Sequence, residues 1–160
     1  MRAAIAAMVL IVALGGCGFR LAGSEHLPAV LAKPYLSVKD PYTDFAREFE
    51  RELKSSGAEL QLGRQDATAT IEVTKDLTEQ RTLAVSARNI PTDYELRYTV
   101  TFAVKGPDNE ILAPQTITLS RDYSFEENEL LAKEHEADIL REHMAQDLVT
   151  MAMRILTRIK

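Results

Sequence analysis

The sequence predicts an α+β domain, two helices covering one face of a mostly antiparallel sheet. Residues 94–105 alternate apolar and polar side chains without a break, the period-two pattern of a strand with one buried and one wet face. Two other stretches, one after Pro41 and one running from the 124–128 region toward Lys160, carry apolar residues at helical spacing. The resulting order is strand, helix, strands, helix, which packs as helices on a sheet.

Each element has its own signals. Tyr35, Leu36, Ser37 and Val38 form a short first strand. Asp40 is placed as a helix N-cap with Pro41 at the first helical position. Tyr42, Phe45, Ala46, Phe49 and Leu53 then share one helix face, charged residues cover the rest, and Gly57 stops the helix. Residues 58–62 are a weak strand candidate. Ala69, Ile71 and Val73 alternate with polar residues, as do Leu83, Val85 and Ala87 with Ala84, Ser86 and Arg88. In the long strand, Tyr94, Leu96, Tyr98, Val100, Phe102 and Val104 point toward the core. Gly106, Pro107, Asp108 and Asn109 make a turn. Ile117, Leu119, Arg121, Tyr123 and Phe125 line one side of its hairpin partner. Ser124 with Glu127 fits a capping box, and Asn128 is a rival N-cap. The last helix has a core stripe of Ala137, Leu140, Met144, Leu148, Met151 and Ile155, broadened by Ile139, Val149, Ala152 and Leu156.

The N-terminus has a different design. Arg2 precedes an apolar run over residues 3–14, which has the length of a secretory signal and is too short to span a membrane. Leu14, Gly15, Gly16 and Cys17 then resemble the lipobox of bacterial lipoproteins. The thiol of Cys17 takes a thioether-linked diacylglycerol. Small neighbours admit the peptidase at the Gly16–Cys17 bond, and the freed amine takes an N-acyl chain. Several chains on one residue anchor stably where one alone is marginal. Residues 1–16 are thus expected to be removed, 17–34 to be a lipidated lead-in, and 35–160 to be one domain. The competing readings are a cleaved secretory signal followed by an incidental cysteine, or a buried cysteine at the start of the fold. By resemblance to this lipoprotein class, Gly18 directs the chain to the outer membrane, where Asp at that position would favour the inner membrane.

Chemistry is hard to find in the remaining residues. A formal net charge of −5 argues against a general nucleic-acid binder. The single cysteine cannot form an intrachain disulfide or a cysteine-rich metal site. His135 and His143 are too far apart for the zinc-protease pattern, and His26 is isolated. Neither a nucleophile elbow nor a phosphate-binding glycine loop occurs. Met144, Met151 and Met153 read as core filling. No cofactor beyond the lipid on Cys17 and no enzymatic activity is expected.

Residues 121–156 resemble the lipopolysaccharide-assembly lipoprotein family LptE (older name RlpB). Tyr123 and Phe125 end a strand. Asn128, Ala132, Lys133, Glu134 and Glu136 follow, with Met144 and Asp147 further along the helix. The opening Cys17, Gly18, Phe19, Arg20 and Leu21 is similar too, as is the entry to the long strand at Tyr94 and Leu96. The resemblance spans essentially the whole mature chain. It implies two helices on a four-stranded sheet, and a lipoprotein at the periplasmic side of the outer membrane. There the family plugs the β-barrel of the translocon protein LptD, helps it assemble, and binds lipopolysaccharide. It also implies that Arg88 and Lys133 contact the lipid's phosphates, with Arg20, Arg81, Arg97 and Arg121 as weaker candidates. The plainer alternatives are a solvated loop charge for Arg88 and an ion pair with Glu129 for Lys133. A different role stays open: a free-standing outer-membrane lipoprotein that binds a small lipid or peptide in a groove between helices and sheet.

Overall fold

A computed structural model describes residues 27–124 and 130–159, with side chains in the second span from residue 136 onward. Cys17, Arg20, His26, Phe125, Asn128 and the partner positions of the proposed capping box lie outside the described residues. The elements are β1 (Pro34–Val38), α1 (Asp44–Ser55), β2 (Ala69–Val85), β3 (Pro91–Lys105), β4 (Glu110–Ser124) and α2 (Leu130–Leu156). The strands form one sheet in the order β1-β2-β3-β4. β1 runs parallel to β2, as a strand–helix–strand connection through α1 allows, and the other pairings are antiparallel. The α+β class and the mostly antiparallel four-stranded sheet are as expected.

The core lies between this sheet and the two helices. All six residues expected on the inner side of β3, from Tyr94 to Val104, are buried. Phe45 and Phe49 of α1 stack with ring centroids 5.1 Å apart, and Phe49 reaches Phe102 at 6.3 Å. From α2, Ala137, Met144, Ala145, Leu148, Val149, Ala152 and Leu156 are buried. This stripe is rotated from the expected one: Ile139 and Met151 are exposed, while Ala145 and Met153 are buried.

Helix α1 starts later than its sequence signals suggest. Thr43, not Asp40, is the N-cap, accepting from the Ala46 N–H at 3.1 Å. Asp40 instead accepts from the Tyr42 N–H at 2.9 Å, the local turn that aspartate favours. Tyr42 therefore precedes the helix and is exposed. The C-terminal signal works as read. Gly57 has φ +90°, Gly57 N–H donates to the Lys54 carbonyl at 3.1 Å, and Ala58 N–H donates to that of Leu53 at 3.0 Å. Residues 58–62 form no strand, only an isolated bridge between Gln61 and Tyr35.

Strand β2 departs most from expectation. The two short alternating segments are parts of a single strand, interrupted by a bulge at Thr74. Before the bulge Ile71 and Val73 face the core. After it Asp76 stands opposite Val100 and Thr78 opposite Tyr98, so the inner face of β2 becomes polar. Asp76 meets the start of α1 there. The Thr43 hydroxyl donates to Asp76 Oδ2 at 2.5 Å, and Tyr98 also hydrogen-bonds this carboxylate. The Tyr98 hydroxyl accepts from the Phe45 N–H at 3.2 Å. One carboxylate thus ties β2, β3 and the cap of α1 together.

Burial pushes the Asp76 carboxyl above the usual carboxylate range, and Asp40 and Asp44 push the same way, against the hydrogen bonds from Thr43 and Tyr98. A carboxyl that holds its proton more tightly when folded stabilises the fold in acid. That contribution is lost as pH rises through its folded pKa. Asn resembles the protonated form. Asp76→Asn should therefore gain stability relative to the wild type between about pH 3.5 and pH 7, read by urea unfolding. A difference that does not change with pH would show that Asp76 is not held this way.

Candidate functional site

Beyond the core, β2 and β3 continue into a hairpin arm whose β2 side and tip are exposed, while Tyr94 and Leu96 of β3 stay buried. Its turn is built by local chemistry. Ser86 N–H donates to the Ile90 carbonyl at 2.8 Å, and Asn89 N–H donates to the Ser86 carbonyl at 2.9 Å. The Ser86 hydroxyl accepts from the N–H groups of Arg88 and Ile90, each at 3.3 Å. Asn89 takes φ +60°, the left-handed conformation that asparagine tolerates best after glycine. Arg88 therefore sits at the tip on a backbone held by hydrogen bonds, and it is exposed.

The arm also displays apolar surface that sequence reading placed in alternation with the polar residues. Leu83 is 45% exposed and Val85 51%, and Leu77 and Ile90 are exposed beside them. The alternation expected over 83–88 is not kept: register shifts fall on either side of Ala84, β2 ends at Val85, and residues 86–90 form the turn. The signal that could have revealed the exposed side is the polar series Asp76, Thr78, Gln80 and Thr82, which leaves no apolar inner face for a helix to pack on.

Lys133 lies in the first described turn of α2. The strand that precedes this helix in the chain is β4. β4 ends at Ser124, opposite Asp93, only a few residues from the hairpin tip. Of the weaker candidates, Arg81 and Arg97 both bind Glu95, at 3.2 Å each. Arg121 binds Asp147 at 3.4 Å. They hold the protein's own carboxylates.

The sheet face away from the helices is mostly polar at its centre, with Leu77, opposite Thr99, as an exposed apolar exception. Thr99 and Thr118 hydroxyls lie 3.2 Å apart, and those of Thr101 and Thr116 lie 2.9 Å apart. Arg97 Nε reaches the Ser120 hydroxyl at 3.4 Å. At the far end Glu72 accepts from Lys105 at 2.5 Å, which holds its carboxyl below the usual range. Between the helices, a cleft of ≈ 240 Å³ is lined by Asp44, Arg47, Glu48, Arg51 and Glu142. Such a lining suits water and ions and offers no apolar wall to an acyl chain. Among the described residues no helix is long and apolar enough to cross a membrane.

Comparison with known proteins converges on one group. The lipopolysaccharide-assembly family model, LptE, matches residues 34–159. The LPS-assembly lipoprotein LptE of Yersinia pestis (strain Pestoides F) is 26% identical over 146 residues, covering 90% of this chain and 70% of that protein. The crystal structure of rare lipoprotein B from Shewanella oneidensis superposes with a TM-score of 0.66 at 26% identity, over 76% of this chain and 91% of that one. The solution structure of uncharacterized lipoprotein B from Nitrosomonas europaea gives 0.69 at 25% identity, over 86% and 88%.

Two substitutions test the tip. Asn89→Gly should leave stability within about 0.5 kcal/mol of the wild type, whereas Asn89→Val should cost roughly 1–2 kcal/mol by forcing a β-branched residue into left-handed backbone. Equal stabilities in urea titrations would show that the turn does not hold Arg88 as described.

Proposed function

The chain belongs to the LptE lipopolysaccharide-assembly family, and from that premise we propose that it is the lipid-anchored plug of the lipopolysaccharide translocon. In this reading residues 1–16 are removed and Cys17 carries a diacylglycerol and an N-acyl chain. The anchored protein sits at the periplasmic side of the outer membrane, inside the LptD β-barrel, whose assembly it assists. It acts by occupying space and contacting lipid, not by catalysis.

The observation that carries the plug role is the polar sheet face. The lumen of a large membrane barrel is polar and wet. A protein that fills it must be wettable on its open sheet face, which the polar side of an antiparallel sheet provides. The threonine pairs and the ion pairs around Glu95 and Glu72 meet that requirement. The free-standing binder would need an apolar groove between helices and sheet, and the charged cleft between the helices does not favour it.

Lipopolysaccharide contact is assigned to Arg88 and Lys133. A guanidinium matches phosphate geometry with paired N–H donors. Lys133 lies near the positive end of α2, where an anion is favoured by both the lysine and the helix dipole. Beside Arg88 the exposed Leu83, Val85 and Ile90 suit acyl chains.

Mild-detergent purification of the full-length tagged protein from outer membranes tests the plug role. A β-barrel partner is expected in about equimolar amount. The protein alone, still in the outer membrane, would overturn the reading in favour of the free-standing binder. Cys17→Ala should leave the chain unlipidated by intact mass and lower barrel recovery. Separately, Arg88→Glu with Lys133→Glu should weaken retention of purified lipopolysaccharide at least tenfold, on the order of 1.4 kcal/mol, while stability changes by less than about 0.5 kcal/mol. Unchanged retention would remove these two residues from the contact.

A further inference from the structure

The inner face of β2 changes character at one residue. Ala69, Ile71 and Val73 are buried under the helices. After the bulge Asp76 and Thr78 are half-buried, and Gln80 and Thr82 are exposed. Asp76 therefore stands at the joint between the core and the β2 side of the arm. Among the described residues, the Thr43–Asp76 hydrogen bond is the one side-chain hydrogen bond or ion pair that joins β2 to α1 and its cap. The Thr43 hydroxyl serves both sides of this joint. It accepts from the Ala46 N–H at 3.1 Å, which caps α1, and it donates to Asp76 Oδ2.

The charges around Asp76 are one-sided. Asp40, in the loop before α1, and Asp44, in its first turn, both act on the carboxylate as like charges. Arg47 of α1 is paired with Asp44 at 2.7 Å. From α2, Glu142 joins Asp44 and Arg47 in the wall of the cleft between the helices. From β3 the facing group is the Tyr98 hydroxyl. Lys39 and Lys75 are exposed, and Lys75, one position before Asp76, points to the other face of β2. Among the described residues no basic side chain forms an ion pair with Asp76. The positive end of the α1 dipole favours an anion, but Asp44 already occupies that end. A second carboxylate there, half-buried and without a cation, gains by turning out to water once it is ionised. Protonated, it keeps Thr43 and Tyr98 as partners and escapes the repulsion.

We propose that Asp76 is a pH-set joint: when its carboxylate ionises, the first turn of α1 and the β2 side of the arm open together while the core stays closed, and when it is protonated they lock onto the core. Acid surroundings thus hold the arm that carries Leu83, Val85 and Arg88 in one pose, and neutral surroundings let it move. This inference concerns the fold and does not rest on the plug reading.

Amide hydrogen exchange tests the joint on the full-length lipidated protein in a non-ionic detergent, at about pH 3.5 and about pH 7. Each measurement is made beside Asp76→Asn, which stands for the protonated form and cancels intrinsic exchange rates. The probes in α1 are the amides of Phe45, Ala46 and Arg47, which donate to Tyr98 and Thr43. At pH 7 these amides and those of residues 77–82 should exchange at least about threefold faster in the wild type than in Asp76→Asn. At pH 3.5 the ratio should fall toward one, and the core amides of Phe102 and Val104 should give a ratio near one at both pH values. Asp40→Asn keeps the acceptor for the Tyr42 N–H and removes one of the two like charges, so it should lessen the excess at pH 7. A ratio that is equal at both pH values, a wild type that exchanges no faster at pH 7, an excess that reaches Phe102 and Val104, or an undiminished excess in Asp40→Asn would overturn the joint.

Discussion

The bulge at Thr74 is the constraint on which the rest of the structure depends. Side chains on a strand alternate, so one extra residue moves every later side chain to the other face. Without the bulge, Lys75 and Leu77 would point at the helices. With it, Asp76 arrives beneath the start of α1, where Thr43 and Tyr98 satisfy its carboxylate. Burying a carboxylate is costly unless it is hydrogen-bonded, so this position is specified sharply. Beyond Asp76 the inner face of β2 is polar and the strand becomes the exposed side of the hairpin, while Tyr98, Leu96 and Tyr94 opposite it on β3 stay buried.

Two kinds of surface follow, and their energetics differ. Each large apolar side chain buried between sheet and helices, such as Phe45, Phe49 or Phe102, contributes roughly 1.5–3 kcal/mol. The ion pairs on the open face have exposed basic partners, and pairs open to solvent contribute only about 0–1 kcal/mol each. The core therefore holds the fold, and the polar face can be shaped by what it must meet. In the proposed reading, a wet barrel lumen and a phosphate-bearing lipid at one end can share one small domain because they use different surfaces.

Much of the fold was legible because period and composition agreed. β3 alternates cleanly and stands in the middle of the sheet, and all its inward residues are buried. The stop of α1 at Gly57 was legible because left-handed backbone strongly favours glycine. The start of α1 was not. Asp40 and Thr43 offer the same capping oxygen, and the choice is settled by Asp76, distant in sequence. β2 was read as fragments because the bulge breaks its period. The stripe of α2 was misplaced by Ile139 and Met151, apolar residues near the right spacing that face solvent, while small Ala145 gave little signal. At the site, Arg88 was legible as a loop charge, and it is exposed at the hairpin tip. The apolar arm around it was hidden, since alternation reports a strand's two faces but not whether anything covers them.

Hydrogen–deuterium exchange of the protein alone and in its purified outer-membrane complex addresses the plug reading most directly, at the arm residues 77–90. Alone, the turn amides at 87 and 88 should exchange fast, being at an exposed tip where the Arg88 N–H is held by the neighbouring Ser86 hydroxyl. Enclosed in a barrel with lipid at the tip, they should slow by at least about tenfold. Unchanged exchange across the arm in a complex that does contain the barrel would contradict the placement of this protein inside it.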